Sequence, residues 1–233
     1  MGFLYNILDD FLGLLFPRIC HGCGEHLLQN EDLLCLDCLV SIPRTGYHRF
    51  PDNPVEKLLW GRCMVEKAAA FSFYTKGSRI RKIVHDLKYR GARELGPLMG
   101  RIYASDLSRD GFFDGIDLII PVPLHPARQR KRGFNQSELI CDGLAEISGL
   151  PVDKTILKRI RFSETQTRRS RYDRWQNVEG IFGVENASGL SGKHVLLVDD
   201  VITTGSTIEA SVNALSKTEN IRISVIALGV AVM

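Results

Sequence analysis

The sequence has no internal repeat and no low-complexity tract, which argues against a solenoid, a fibre or a largely disordered chain. It also has no early apolar run long enough to cross a bilayer. The longest, FLGLLF at 11–16, is broken by Gly13, followed by Pro17 and preceded by Asp9 and Asp10. The start lacks the basic segment and the small-residue cleavage site of a secretory signal, so a cytoplasmic address and no membrane span are expected. A P-loop is missing too: GLSGKH at 189–194 has neither the spacing nor the hydroxyl of G-x-x-x-x-G-K-[ST]. What the chain does have is size and apolar content. Its 233 residues, 44% hydrophobic, can bury one sizeable core and carry a small appendage.

The six cysteines are grouped. Four of them form C-H-G-C at 20–23 and C-L-D-C at 35–38, two C-x-x-C pairs separated by eleven residues. This arrangement wraps four thiolates around one zinc ion, so Cys20, Cys23, Cys35 and Cys38 are the expected Zn2+ ligands. A segment this short cannot bury a core of its own, and the metal would supply much of its folding energy. Two disulfides would need an oxidising compartment, for which there is no targeting signal. Cys63 and Cys141 sit among apolar neighbours and read as core thiols.

Along the chain, Phe3, Leu4, Ile7, Leu8, Phe11 and Leu12 recur at helical spacing, which predicts an N-terminal helix within residues 1–17, docked on the rest. The metal module takes 18–40. Residues 41–62, with Pro43, Pro51 and Pro54 and few periodic apolar positions, read as a linker, and the main domain runs over 63–233. In it, AAAFSFY at 68–74 predicts a strand and SRIRKIVHDLKYRG at 78–91 a helix with Ile80, Val84 and Leu87 on one face. DLIIPVPLH at 117–125 predicts a strand entering a proline-studded turn. Asn135 with Glu138 then opens a helix that Gly149 and Pro151 stop. Residues 155–162 and 178–184 read as strands separated by an arginine-filled loop.

The last third carries the clearest unit, an apolar strand at 194–198, a helix marked by Ile208, Val212 and Leu215, and a buried strand within 221–232. This β-α-β unit predicts an α/β fold with a central parallel sheet. It places VLLVDDVITTGST, residues 195–207, at the carboxyl end of a strand, where open parallel sheets bind ligands. A turn of Thr203, Thr204, Gly205, Ser206 and Thr207 leading into a helix aims N–H groups and hydroxyls at one point, which suits a phosphate. Asp199 and Asp200 just before it can accept from a vicinal diol, so the pair of sites suits a ribose 5-phosphate.

These residues resemble the phosphoribosyl pyrophosphate (PRPP) fingerprint of the type I phosphoribosyltransferase fold, a Rossmann-like architecture. With the C-x-x-C pairs, LKYRG at 87–91, PVPLH at 121–125, RGFNQS at 132–137 and QNVEGIF at 176–182, the whole chain after the first helix resembles the ComF family of late competence proteins. The resemblance implies a small N-terminal zinc module before a phosphoribosyltransferase-like domain. It implies ribose hydroxyls on Asp199 and Asp200, with Mg2+ accompanying PRPP, and the 5-phosphate on Thr203–Thr207. Pyrophosphate would lie at the turn around Leu124, His125 and Arg128, and the basic segment from Arg161 to Arg174 would be a flap. It further implies single-stranded DNA, a competence helicase and recombination-loading proteins as partners in natural transformation. One departure concerns the residue four positions after the first acid. It is a carboxylate base in purine-salvage transferases and Thr203 here, so general-base chemistry from this loop is not expected, although orotate-type transferases also have threonine there.

The net charge of +3 conceals segregation. Residues 79–93 hold six basic and one acidic side chain, 125–135 four and none, and 158–174 seven and two, so these stretches carry +14 and the remainder −11. Tyr89, Phe134, Phe162, Tyr172 and Trp175 are interleaved with the cations. Such a pattern favours single-stranded nucleic acid, with Arg132, Arg168, Arg169, Arg171, Arg174 and Trp175 as nucleic-acid or flap residues. Two functions follow, a DNA-handling factor that retains a PRPP pocket and an active phosphoribosyltransferase with an unidentified acceptor.

Overall fold

The computed structural model describes residues 17–160 and 181–231. The predicted first helix and the cluster Arg168, Arg169, Arg171, Arg174 and Trp175 lie outside these residues.

A four-stranded parallel sheet organises the domain. Its strands are β1 (Ala68–Phe73), β2 (Leu118–Pro121), β5 (His194–Ile202) and β6 (Arg222–Val230), in the order β1-β6-β5-β2. Parallel strands covered on both sides read as unbroken apolar runs, and the period of two divides each run between two cores. Ala69, Phe71, Ile119, Leu196, Val198, Ile226 and Leu228 face one core, whereas Ala68, Ala70, Ile120, Val195, Leu197, Val225 and Ala227 face the other. Burying one such Leu or Val contributes about 1.5–3 kcal/mol.

The first core is covered by α3 (Arg79–Tyr89), α4 (Leu95–Arg109) and α6 (Gln136–Ser148), and by the four-cysteine segment with its short helix α1 (Leu36–Ser41). The other is covered by α2 (Pro54–Leu59), α7 (Ser206–Leu215) and a two-stranded antiparallel ribbon of β3 (Leu157–Arg159) and β4 (Phe182–Val184). The ribbon is what the described residues contain of the strands expected at 155–162 and 178–184.

Helix α4 has no counterpart among the expected elements, and Gly96, Pro97 and Gly100 have low helix propensity. In the fold these residues make the contact. A Cβ on Gly96 would strike Leu139, one on Gly100 the Ile140 carbonyl, and one on Gly143 the Pro97 carbonyl, so the α4 and α6 backbones touch where only glycine fits. Helix α6 starts as expected, with the Asn135 side chain accepting from Ser137 N–H at 3.2 Å. Glu138 accepts from the Asn135 side-chain amide at 3.3 Å.

Residues 41–62, read as a linker, are packed. Pro54 occupies the first turn of α2, whose Val55 and Leu59 are fully buried. Asn53 caps that helix and donates its amide to the carbonyls of Tyr47, Phe50 and Ala68, tying the segment to β1. The prolines shape a turn and a helix start here, so the lack of periodicity hid a segment that covers the sheet.

Candidate functional site

Strand β5 runs through Ile202, so Asp199 and Asp200 belong to its last turn of ladder and not to the loop after it. Both line a cavity of about 210 Å³ at the carboxyl end of the sheet. Asp200 meets Lys88 Nζ, at the end of α3, at 2.6 Å. Asp199 accepts from Ser137 Oγ at 3.3 Å and from the Asp200 N–H at 2.8 Å. Burial, followed by the charge of Asp200, pushes the Asp199 carboxyl up to about 7.

The same cavity is also lined by cations. Leu124, Arg128 and Arg132 reach the cavity from the turn after β2 and from the short helix α5 (Pro126–Arg132), and Arg159 from β3. Burial, together with the charge of Arg128, lowers the Arg159 guanidinium from its ordinary value. Arg132 Nη1 donates to Gln136 Oε1 at 2.7 Å. Gln136 is fully buried in the same lining, and its Nε2 has no partner among the described residues. A buried amide left without an acceptor costs about 1–3 kcal/mol, so an oxygen acceptor from a ligand or from water fits beside it.

The expected loop residues divide. Thr207 lines the cavity, while Thr203, Thr204 and Ser206 stand exposed on the adjoining turn, with Thr204 Oγ1 and Ser206 Oγ 3.0 Å apart. Gly205 caps α7 at φ 77°, a left-handed conformation that suits glycine. His125 does not line the cavity. Its Nδ1 accepts from Ala127 N–H at 3.2 Å and caps α5.

One residue near the loop was missed altogether. Arg62 follows α2 in the supposed linker and donates to the Thr204 carbonyl, to Ser206 Oγ at 3.4 Å and to Glu209 Oε2 at 2.6 Å. It braces the turn from outside. Lys88, Gln136 and Ser137 lay within the quoted LKYRG and RGFNQS segments without a role, and no local pattern distinguished Arg62 or Arg159 from other arginines.

The four cysteines expected to bind metal come together, their sulfurs all within 4.8 Å of one another and Cys23 Sγ 3.7 Å from Cys35 Sγ. Four sulfurs at about 2.3 Å from a central zinc stand about 3.8 Å apart, so the set fits a tetrahedral ion, and all four are free thiols. Backbone N–H groups support thiolates: Gly22 and Cys35 each donate to Cys20 Sγ at 3.3 Å, and Glu25 to Cys23 Sγ at 3.4 Å. Burial raises the Cys20 thiol, but the N–H bonds from Cys35, Cys23 and Gly22 outweigh it and bring it down to about 6. The module is docked on α3 through His21 Nδ1 and Asp86 at 2.8 Å and through Arg79 and Asp37 at 2.8 Å.

The DNA utilization protein YhgH of Salmonella typhi is 31% identical over 205 residues, covering 84% of this chain and 83% of that protein. Competence protein ComFC of Bacillus subtilis is 29% identical over 207 residues, 88% of this chain and 81% of its own. The chain belongs to the ComF family. Competence protein F of Haemophilus influenzae is 41% identical over 93 residues, 40% of this chain and 41% of that protein. Residues 144–229 match the phosphoribosyl transferase domain family, a span that includes β5, the turn after it, α7 and most of β6. The ComF fold therefore comprises a phosphoribosyltransferase-type parallel sheet preceded by a four-cysteine cluster. Among the described residues no helix is long and apolar enough to cross a membrane.

Proposed function

We propose that this ComF protein binds PRPP with magnesium in the cavity at Asp199 and Asp200 and handles single-stranded DNA as a competence factor, with zinc in the four-cysteine module. The observation that carries the reading is the cavity itself. Two carboxylates suited to a ribose diol line the same cavity as Arg128 and Arg132, which suit a diphosphate, and the unpartnered Gln136 amide belongs to the same lining. Asp199 and Asp200 would take the ribose hydroxyls directly or through magnesium. The hydroxyls and N–H groups of Thr203–Thr207 would take the 5-phosphate. Zinc, when bound to Cys20, Cys23, Cys35 and Cys38, supplies structural cross-linking; the cysteines and their N–H donors hold the geometry. The names of the relatives, which speak of competence and DNA utilization, support a role in DNA uptake, and the segregated basic stretches support a single-stranded polyanion.

A second reading, transfer of ribose 5-phosphate from PRPP to an acceptor with release of pyrophosphate, uses the same cavity. Thr203 offers no base from this loop, and threonine also stands at this position in orotate-type transferases.

Calorimetry with PRPP and magnesium tests the first reading. Binding by the wild type and its loss in Asp199→Asn/Asp200→Asn, with folding unchanged by circular dichroism, are expected; equal affinity in both removes the assignment. Pyrophosphate release from PRPP across a panel of bases separates the two readings.

A further inference from the structure

Two cavities share a wall. Beside the one containing the acid pair lies a larger space of about 400 Å³, and Lys88, Tyr89, Arg128 and Arg132 line both. Lys131 and Phe134 line only the second. No carboxylate lines the larger space, and among the described residues Arg93, Arg128, Lys131 and Arg132 form no ion pair. Lys88 is paired with Asp200, which leaves Arg128, Lys131 and Arg132 as like charges that repel one another, and an anion that binds there relieves this repulsion. The rings add a second kind of contact. The Arg132 guanidinium lies 4.9 Å from the Tyr89 ring centroid and that of Arg93 4.8 Å from Phe134, so each ring is paired with a planar cation. A nucleobase stacks on such guanidinium–ring pairs without regard to its identity, while its phosphates take the neighbouring cations.

Resting on the reading above, in which the smaller cavity takes PRPP and the basic surface single-stranded nucleic acid, we propose that the two ligands exclude one another. A diphosphate seated against Arg128 and Arg132 uses the charge that a strand in the larger space needs, and one guanidinium cannot neutralise both. The strand therefore enters when the diphosphate is absent, and by linkage it weakens PRPP by the same factor. The 5-phosphate end of the ligand lies toward Thr207 and has no part in the competition.

The test follows a labelled oligothymidine strand by fluorescence anisotropy on the full chain, with ionic strength held constant by sodium chloride. Magnesium PRPP and magnesium pyrophosphate should each weaken strand binding about tenfold or more near saturation, and ribose 5-phosphate should leave it unchanged. Lys131→Gln should weaken the strand and spare PRPP, whereas Arg128→Gln should weaken both. If each ligand binds alone and saturating PRPP leaves strand affinity unchanged or higher, the exclusion is overturned and the underlying reading stands. If calorimetry shows no PRPP binding, or the strand does not bind without PRPP, that reading fails and the exclusion falls with it.

Discussion

Lys88 Nζ and Asp200 Oδ1 meet at 2.6 Å, with side chains 19% and 12% exposed, and so fasten the end of α3 to the end of β5. Truncating one member of a buried pair leaves the other charge uncompensated, which costs more than the pair contributes. Lys88→Met should therefore destabilise the protein by about 2 kcal/mol, reduced from the fully buried case because some water reaches both groups. Adding Asp200→Asn should recover most of the loss. Urea unfolding of the double-mutant cycle measures the coupling, and additive losses would show that the pair contributes nothing.

The raised Asp199 carboxyl gives a pH dependence of defined sign. Folded, the group titrates at about 7; unfolded, at about 3.9. Between those values the folded state holds the extra proton, so its contribution favours folding at low pH and is lost as pH rises through the window. Asp199→Asn removes that slope. The variant should match the wild type near pH 4 and exceed it by about 4 kcal/mol at pH 8, since the shift spans about three tenfold changes in proton affinity, each worth about 1.4 kcal/mol. Chemical denaturation at the two pH values decides the matter, and parallel profiles would place the carboxyl in the ordinary range.

Helices α4 and α6 approach so closely at Gly143 that a methyl group would overlap the Pro97 carbonyl oxygen, which belongs to backbone and cannot swing aside. Gly143→Ala ordinarily gains helix propensity, by about 1 kcal/mol. Here overpacking should dominate and lower stability by about 2–3 kcal/mol, as a drop in melting temperature. An unchanged or raised melting temperature would mean that the helices can separate at little cost.

That contact also explains which parts of the fold the sequence disclosed. Strands β5 and β6 and helix α7 were legible because β-branched runs and a helical apolar stripe are local patterns. Helix α4 was not legible locally, since its glycines have low helix propensity and serve a neighbour 40-odd residues away. Asp199 and Asp200 stood out as acids ending an apolar strand. Lys88 and Gln136, in contrast, acquire meaning only when α3 and α6 are brought over that strand end, and Arg62 was masked by the prolines around it. The four cysteines needed no such context, since their spacing alone specifies the cluster.

The metal module gives two variants of different kind. Cys35→Ser should lose about one equivalent of zinc and open residues 18–40 to protease while the sheet stays folded. Gly22→Ala keeps all four ligands, but its Cβ would stand 2.6 Å from Cys38 Sγ, so it should weaken zinc about tenfold or more, within the range that disturbed surroundings cost a metal site. Metal content by mass spectrometry and chelator competition measure both. A purified wild type that is fully folded and free of zinc would refute the assignment.

Arg62 and Glu209 make predictions of opposite sign for the anion site. Arg62 holds the turn through the Thr204 carbonyl and Ser206 Oγ, and Glu209, in the first turn of α7, accepts from its Nη2 at 2.6 Å. Arg62→Gln removes a cation and the brace together, and should weaken PRPP about tenfold. Glu209→Gln keeps an acceptor for Arg62 but removes a negative charge beside the proposed phosphate position, and should strengthen PRPP about threefold, in line with about 0.3–1 kcal/mol for a charge at a helix terminus. A purely structural contact would be weakened by either change, because each loosens the same bond. Calorimetry with magnesium PRPP at low salt separates the cases: a loss of affinity in both variants would reduce Arg62 to scaffolding, and no change in either would remove the turn from the binding site.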